Sequence, residues 1–192
     1  SFYSEALFLL LVLWSFLNAR RGHWLKAGLI AALASATRLV GIFLVPALLV
    51  ELWIQKSAQL QAEDNRNCCQ LQYFCQKYWK QIVAISTGSL GLIVYMIYLQ
   101  RQFNDPLYFY HVQAEFGGGR QESIITYPQV VWRYLKILWT ARPFDLKYYA
   151  YVQEFLFGVL GLAGIIWSWF RVRKSYVIFS ALVFLLPTLT GT

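Results

Sequence analysis

Apolar residues run in five long stretches along the chain, and charged residues collect between them. The stretches cover residues 2–17, 25–54, 82–99, 155–170 and 176–189. None shows the regular polar positions that give a soluble helix its solvent-facing side. Most approach the roughly 17 to 25 residues that an α-helix needs to cross a bilayer. The pattern predicts an all-α fold, a polytopic transmembrane helical bundle.

The composition supports a membrane protein over a soluble one. Hydrophobic residues make up 58% of the 192 residues and charged residues only 14%. The net charge is +8, but the basic residues flank apolar stretches instead of clustering with exposed aromatic residues. Orientation in a bilayer explains that distribution better than nucleic-acid binding. We expect a multi-pass integral membrane protein with the lipid bilayer as a partner and no nucleic acid.

The basic loops predict how the chain is oriented. The loops NARRGHWLK, between the first two stretches, and RVRK, between the last two, are strongly basic. The positive-inside rule places both in the cytoplasm, and segment 55–81 leans the same way. The connector 100–151 balances six basic residues with four acidic ones. Its excess of basic residues is the weakest signal for a cytoplasmic location among these segments, so we expect it to be an external loop.

Loop parity predicts a hairpin within residues 25–54. If this stretch crossed the membrane once, the later basic loops would lie outside, against the positive-inside rule. A hairpin that turns around Arg38, Gly41 and Pro46 keeps every short basic loop inside. Each half would contain roughly 15 residues, or about 22 Å of helix. Both halves would then be short, re-entrant helices, because the hydrocarbon core is about 30 Å thick.

Arg38 is the one charge between Lys26 and Glu51 in this stretch. It could be an arginine that snorkels to the headgroups from a helix end. It could instead pair with a phosphate, because a charge at depth usually faces a polar cavity or an anion and the guanidinium fork suits phosphate. The residues around it predict close helix packing, since small side chains let helices approach in lipid: Ala27, Gly28, Ala31, Ala32, Ala34, Ser35 and Ala36.

The connector 100–151 carries the candidate substrate-binding residues. Its Asn-Asp-Pro sequence predicts a turn, held by the Asx side chain and the fixed φ of proline. Asp105, His111 and Gln113 then stand among aromatic residues, and Arg120 follows a glycine triplet. These groups could bind sugar hydroxyls, stack on pyranose rings and hold a phosphate. The alternative is an ordinary interfacial loop with an aromatic belt.

Residues 128–143 predict an interfacial amphipathic helix inside this connector. A broad apolar face runs beside Arg133 and Lys136, and Pro128 and Pro143 stand where a helix begins and ends. Such a helix lies on the membrane surface, where it could anchor the loop or cover a site.

The sequence predicts no metal site. Cys68, Cys69 and Cys75 lie on the loop that we place in the cytoplasm, where structural disulfides are rare. No histidine stands near them to complete a zinc site. The sequence therefore indicates no certain cofactor and leaves a divalent metal ion open.

Four blocks of the sequence resemble successive blocks of the PIG-V-like mannosyltransferases, a family of the GT-C glycosyltransferase superfamily. The blocks are SFYSEALFLLL, LKAGLIAALASATRLVGIFLVPALLVE, NDPLYFYHVQAEFGGGR and PTLTGT. Their order and approximate spacing match across nearly the whole chain. The sequences of the blocks are closer to those of bacterial members than to those of eukaryotic ones.

The resemblance implies an inverting mannosyltransferase. Such an enzyme takes mannose from a polyprenyl-phosphate donor and passes it to a glycan or lipid acceptor at the outer face. It implies a GT-C-like bundle around an external cavity, with Arg38 and Arg120 as partners of the donor phosphate and Glu5 near the same cavity. A bacterial member would lie in the plasma membrane and a eukaryotic one in the endoplasmic reticulum membrane.

The resemblance also implies that the acidic catalytic residues lie on an external loop before Ser1. We therefore expect residues 1–192 to be one transmembrane domain, truncated at both ends and inactive alone. Two other classes fit a cavity with intramembrane charge: a transporter or flippase for lipid-linked sugars, and a noncatalytic membrane subunit. Conversion of labelled donor into a glycosylated acceptor separates the enzyme from the transporter, and co-purification without sugar binding favours the subunit.

Overall fold

The computed structural model describes residues 2–63, 70–109, 111, 132, 136, 139 and 146–189. This part of the chain is helical and contains no β-strand, as the hydrophobic pattern predicts. It divides into two compact units, Ser1–Tyr108 and Phe109–Thr192.

The helices follow the apolar stretches of the sequence. In the first unit, two 3-10 turns, Leu39–Phe43 and Thr87–Ser89, each lead directly into an α-helix. The connector is shorter than predicted, because the helix before it continues to Phe103 and the helix after it begins at Leu146. The α-helices with described bounds are α1 Phe2–Arg20, α2 Trp24–Thr37, α3 Leu44–Glu63, α4 Gln70–Lys77, α5 Trp79–Ser86, α6 Leu90–Phe103, α7 Leu146–Arg171 and α8 Lys174–Leu189.

Three helical stretches among the described residues are long and apolar enough to cross a membrane: Leu39–Ser57, Trp79–Phe103 and Tyr148–Arg171. Large apolar side chains also point outward, including Leu13 and Trp14 on α1 and Trp167 on α7. An outward-facing apolar surface of this extent suits hydrocarbon rather than water. The length, composition and exposed apolar faces of these helices are those of a membrane protein.

The predicted hairpin in residues 25–54 is present. Arg38 adopts an extended backbone conformation, with φ −146° and ψ 136°, and ends α2. The 3-10 turn that follows folds back on α2, where a Cβ added to Gly41 would come within 2.6 Å of the Ala34 carbonyl. Helix α3 then returns along the bundle until the side-chain amide of Gln55 donates to the Ala19 carbonyl oxygen at 3.4 Å.

Two details of the hairpin differ from the prediction. Only α2 is short, with 14 residues, whereas α3 has 20. Residues 55–63 are too polar to extend the apolar stretch, yet Gln, Ala and Glu are strong helix formers, so the helix continues through them. Pro46 does not form the turn. It lies in the first turn of α3, where its missing N–H is not needed.

Helix α2 packs on its neighbours through small residues, and one of these neighbours is α1. Ala27, Ala31 and Ala34 are completely buried, as the small-residue pattern predicts. The hydroxyl of Ser15 on α1 donates to the Ala27 carbonyl oxygen at 2.9 Å. Because Ser15 precedes the end of α1 and Ala27 follows the start of α2, the two helices run antiparallel.

The segment α5–α6 packs on another side of α2 at very short range. A Cβ added to Gly28 would overlap the Ala84 carbonyl oxygen, and one added to Gly91 would overlap that of Ala32. The hydroxyl of Ser35 donates to the Gly88 carbonyl oxygen at 2.9 Å, at the 3-10 turn between the two helices. These contacts advance together along both segments, so α5–α6 runs parallel to α2.

Helix α6 continues well beyond the end of α2. Gly91 already lies beside the last turns of α2, near Ser35 and Ala36. Twelve residue steps separate Gly91 from Phe103, the last residue of α6. At a rise of 1.5 Å per residue this is about 18 Å of helix. The two helices therefore end at different heights.

The second unit contains an antiparallel helix pair. Helices α7 and α8 are joined at the RVRK sequence, and Val172 closes α7 by donating to the Ser168 carbonyl oxygen at 2.8 Å. A Cβ added to Gly161 would come within 2.5 Å of the Phe184 ring. This glycine therefore lets the aromatic ring of α8 lie directly on the backbone of α7.

Candidate functional site

An acid and an arginine that are far apart in the sequence meet at one end of the first unit. Nη2 of Arg38 donates to Oε1 of Glu5 at 2.8 Å. Glu5 lies in the first turn of α1 and Arg38 caps the end of α2. Since α1 and α2 are antiparallel, these two helix ends are neighbours. The two residues expected beside one external cavity are thus in contact, and their predicted roles in substrate binding stay predictions.

The position of each charge matches the helix end on which it lies. An α-helix carries partial positive charge at its N-terminus and partial negative charge at its C-terminus. The Glu5 carboxylate stands at the start of α1, and the Arg38 guanidinium at the end of α2. Both helix dipoles therefore favour the pair in addition to the attraction between the two groups.

The pair is open to molecules outside the first unit. The Arg38 side chain is 42% exposed and the Glu5 side chain 56%. The hydrogen bond from Arg38 to Glu5 uses one of the five N–H donors of the guanidinium group. The donors that do not bond Glu5 suit a second oxyanion, because phosphate oxygens accept from several donors of one arginine at once.

The pair lies below the end of the neighbouring span. Arg38 comes directly after the α2 residues that pack on Gly91, whereas α6 continues about three more turns to Phe103. Both interpretations of Arg38 fit this height, because an arginine can snorkel to the headgroups from below the end of a span and an ionisable group at depth often serves a polar site. The phosphate partner of Arg38 therefore stays a prediction.

The structure places Asp105 on the same side of the first unit but past the end of α6. Asn104 ends the helix with a φ of 54°, in the left-handed region. Oδ1 of Asp105 then accepts a hydrogen bond from the backbone N–H of Leu107 at 2.9 Å. The turn predicted from Asn-Asp-Pro is present, and the Asp105 carboxylate helps to hold it.

The other candidate residues of the connector belong to the second unit. His111 is helical and exposed. Gln113 and Arg120 lie outside the described residues, so their predicted roles in substrate binding stay predictions. Within the predicted interfacial helix, the described residues Trp132, Lys136 and Trp139 are helical, and the two tryptophans are 70% and 93% exposed.

Sequence reasoning missed a buried polar pair on α3. Glu51 is completely buried, and Nε2 of Gln55 donates to its carboxylate at 2.9 Å. The same amide reaches the Ala19 carbonyl oxygen, so the pair ties α3 to the end of α1. A glutamate followed four residues later by a glutamine, where an apolar stretch ends, is the signal that could have indicated it.

The part of the chain that the structure describes contains no group of three His, Cys, Asp or Glu side chains placed to ligate a metal ion. Cys75 is exposed and is not in a disulfide. Dependence on a divalent metal ion stays open.

Comparison of the chain with family models, with curated proteins and with solved structures gave no match.

Proposed function

We propose that this chain is part of a membrane glycosyltransferase that transfers mannose from a polyprenyl-phosphate donor to a glycan or lipid acceptor at the outer face. The observation that carries the proposal is the contact between Glu5 and Arg38. These residues come from the first and second of the four blocks that resemble PIG-V-like mannosyltransferases. Their meeting supports one site built from both blocks.

The donor explains why a guanidinium group would lie below the end of a membrane span. A polyprenyl chain stays in the hydrocarbon, so its phosphate reaches the protein sideways through the bilayer. An arginine below the end of α6 can meet that phosphate, and its planar fork holds two phosphate oxygens together. In this proposal Arg38 binds the donor phosphate, and Arg120 is a second candidate for the same role.

Inverting transfer exchanges one bond at the anomeric carbon for another. The acceptor oxygen attacks from the face opposite the phosphate, the bond from carbon to phosphate oxygen breaks, and the acceptor proton passes to a general base. Arg38 stabilises the charge that develops on the departing phosphate. We assign no general base among residues 1–192.

The proposed role of Glu5 follows from its hydrogen bond to Arg38. Without donor, the Glu5 carboxylate neutralises the Arg38 guanidinium and keeps it oriented. A bound phosphate competes for the same N–H donors. Removal of the Glu5 charge should therefore leave donor binding intact or stronger, whereas removal of the guanidinium should abolish it.

Transfer in membranes that carry the protein at its full length tests the proposal. Membranes are given radiolabelled polyprenyl-phosphate mannose, and glycosylated product is measured for wild type, Arg38→Ala, Arg38→Lys and Glu5→Gln. Arg101→Ala is the matched control, because Arg101 is also exposed and lies in the last turn of α6. We expect Arg38→Ala to lose transfer, Arg38→Lys to retain a fraction and Arg101→Ala to match wild type.

Two outcomes would overturn the proposal. If Arg38→Ala transfers normally while it is expressed normally, the guanidinium is not a phosphate-binding group. If wild type moves labelled donor across the bilayer but forms no glycosylated product, the protein is a transporter of lipid-linked sugars.

A further inference from the structure

Two exposed cations of the second unit lie where α7 meets α8. Arg171 is the last residue of α7 and Lys174 the first of α8, and both are exposed. Backbone hydrogen bonds close both helices at this turn, and the N–H of Tyr176 donates to the Arg173 carbonyl oxygen at 3.1 Å. The turn therefore holds the backbone at the two cations in a defined arrangement.

The helix pair offers these two cations no acidic side chain nearby. Residues 155–189 contain no aspartate or glutamate, and the acid in the described part of α7 and α8 is Glu154. Seventeen residue steps separate Glu154 from Arg171 on α7, which is about 25 Å of helix. An anion that pairs with Arg171 and Lys174 must therefore come from outside the helix pair.

An outward-facing apolar stripe on α7 leads to Arg171. Leu160, Gly164 and Trp167 share a face with Arg171, because side chains three or four residues apart on a helix stand one above the other. Leu160 is 55% exposed and Trp167 is 64% exposed. Eleven residue steps separate Leu160 from Arg171, or about 16 Å of helix. This length is about half of the 30 Å hydrocarbon core, so the stripe spans one leaflet with the cation at its end.

Gly164 makes a notch in this apolar stripe. A Cβ added to it would meet nothing within 4 Å, so the space beside its backbone is open between the Leu160 and Trp167 side chains. Gly161 differs, because its added Cβ would meet the Phe184 ring of α8. Gly164 is therefore not used for close packing on α8, and a slender hydrocarbon chain fits the notch that it leaves.

We propose that this surface binds one anionic phospholipid, with its phosphate on Arg171 and Lys174 and an acyl chain in the notch at Gly164. The arginine fork holds two phosphate oxygens and the lysine adds a point charge. Phe170, which is 80% exposed beside Arg171, suits the interfacial level at which aromatic side chains collect. The positive-inside rule predicts this turn in the cytoplasm, where the facing leaflet carries anionic lipids. The lipid site does not depend on the proposed sugar transfer.

Lipid binding to the full chain tests the proposal. The protein in dodecyl maltoside is titrated with dioleoyl phosphatidylglycerol, and native mass spectrometry counts the lipids that are bound. Arg171→Gln/Lys174→Gln removes both charges, and Gly164→Leu fills the notch but keeps the charges. Arg20→Gln/Arg21→Gln is the matched control, because it removes two exposed charges where α1 leads into α2. Melting without lipid, followed by circular dichroism, checks that each variant is folded.

We expect the first phosphatidylglycerol to bind wild type with an affinity roughly tenfold or more above that of the Arg171→Gln/Lys174→Gln variant. Gly164→Leu should also lose affinity, and the control should bind as wild type does. Equal binding of dioleoyl phosphatidylcholine would overturn the proposal. So would an equal loss of affinity in the control, because general charge would then explain the binding. A dimer that Gly164→Leu converts to monomers would show instead that a second copy of the chain occupies the notch.

Discussion

The carboxylate of Glu5 accepts a hydrogen bond from Arg38 although the two residues stand 33 positions apart. Both side chains are about half exposed, so their mutual stabilisation should be at most about 1 kcal/mol. We expect a double-mutant cycle with Glu5→Gln and Arg38→Gln to give a melting-temperature coupling of a few degrees or less. A much larger coupling would indicate that the pair is mainly structural.

The close approach of α2 and α6 predicts a severe effect for one added methyl group. Gly91→Ala places a Cβ on the Ala32 carbonyl oxygen. Overpacking of this kind costs about 1 to 3 kcal/mol. Gly164→Ala is the control, because nothing lies within 4 Å of its added Cβ and alanine favours a helix. Thermal unfolding followed by circular dichroism should separate the two variants, and equal melting temperatures would contradict the packing described.

Substitutions of Asp105 can separate its role in the turn from its predicted role in binding sugar hydroxyls. Asparagine keeps an oxygen that accepts from Leu107 N–H, so Asp105→Asn should retain the turn, whereas Asp105→Ala should lose about 1 kcal/mol. If the carboxylate also binds sugar hydroxyls, Asp105→Asn should lower transfer about tenfold at unchanged melting temperature. Normal transfer by the asparagine variant would leave Asp105 as a turn residue.

Thiol labelling checks the predicted orientation. Cys75 is exposed on α4, in segment 55–81, which the positive-inside rule predicts to lie in the cytoplasm. In a Cys68→Ser/Cys69→Ser variant, a membrane-impermeant maleimide should label Cys75 only after the cells are permeabilised. Gln102→Cys, on the exposed last turn of α6 and with Cys75 also replaced by serine, should react in intact cells. The opposite pattern would invert the topology.

The hydrophobic pattern predicted most helices because burial in lipid or protein demands continuous apolar stretches. Loop charge predicted the hairpin at Arg38, and Asn-Asp-Pro predicted the turn at Asp105. The extension of α3 past residue 54 escaped prediction, because helix propensity continues where hydropathy ends.

Contacts between distant segments were largely beyond prediction. The meeting of Glu5 and Arg38 was expected only through a family resemblance, as a shared location rather than a hydrogen bond. The placement of Lys56 near the Tyr78 ring depends on how α3 and α4 pack, and no local pattern encodes it. The pairing of Glu51 with Gln55 is local, but its burial is set by α1.

The hydrogen bond from Ser35 to Gly88 bears on the order in which the nascent chain enters the membrane. Gly88 lies in a 3-10 turn inside an apolar span, and a backbone carbonyl in hydrocarbon needs a donor. That donor belongs to α2, which the ribosome makes more than fifty residues earlier. When the segment containing Gly88 leaves the translocon, α2 is already available. The span that contains Gly88 can then enter the lipid packed against α2 rather than alone.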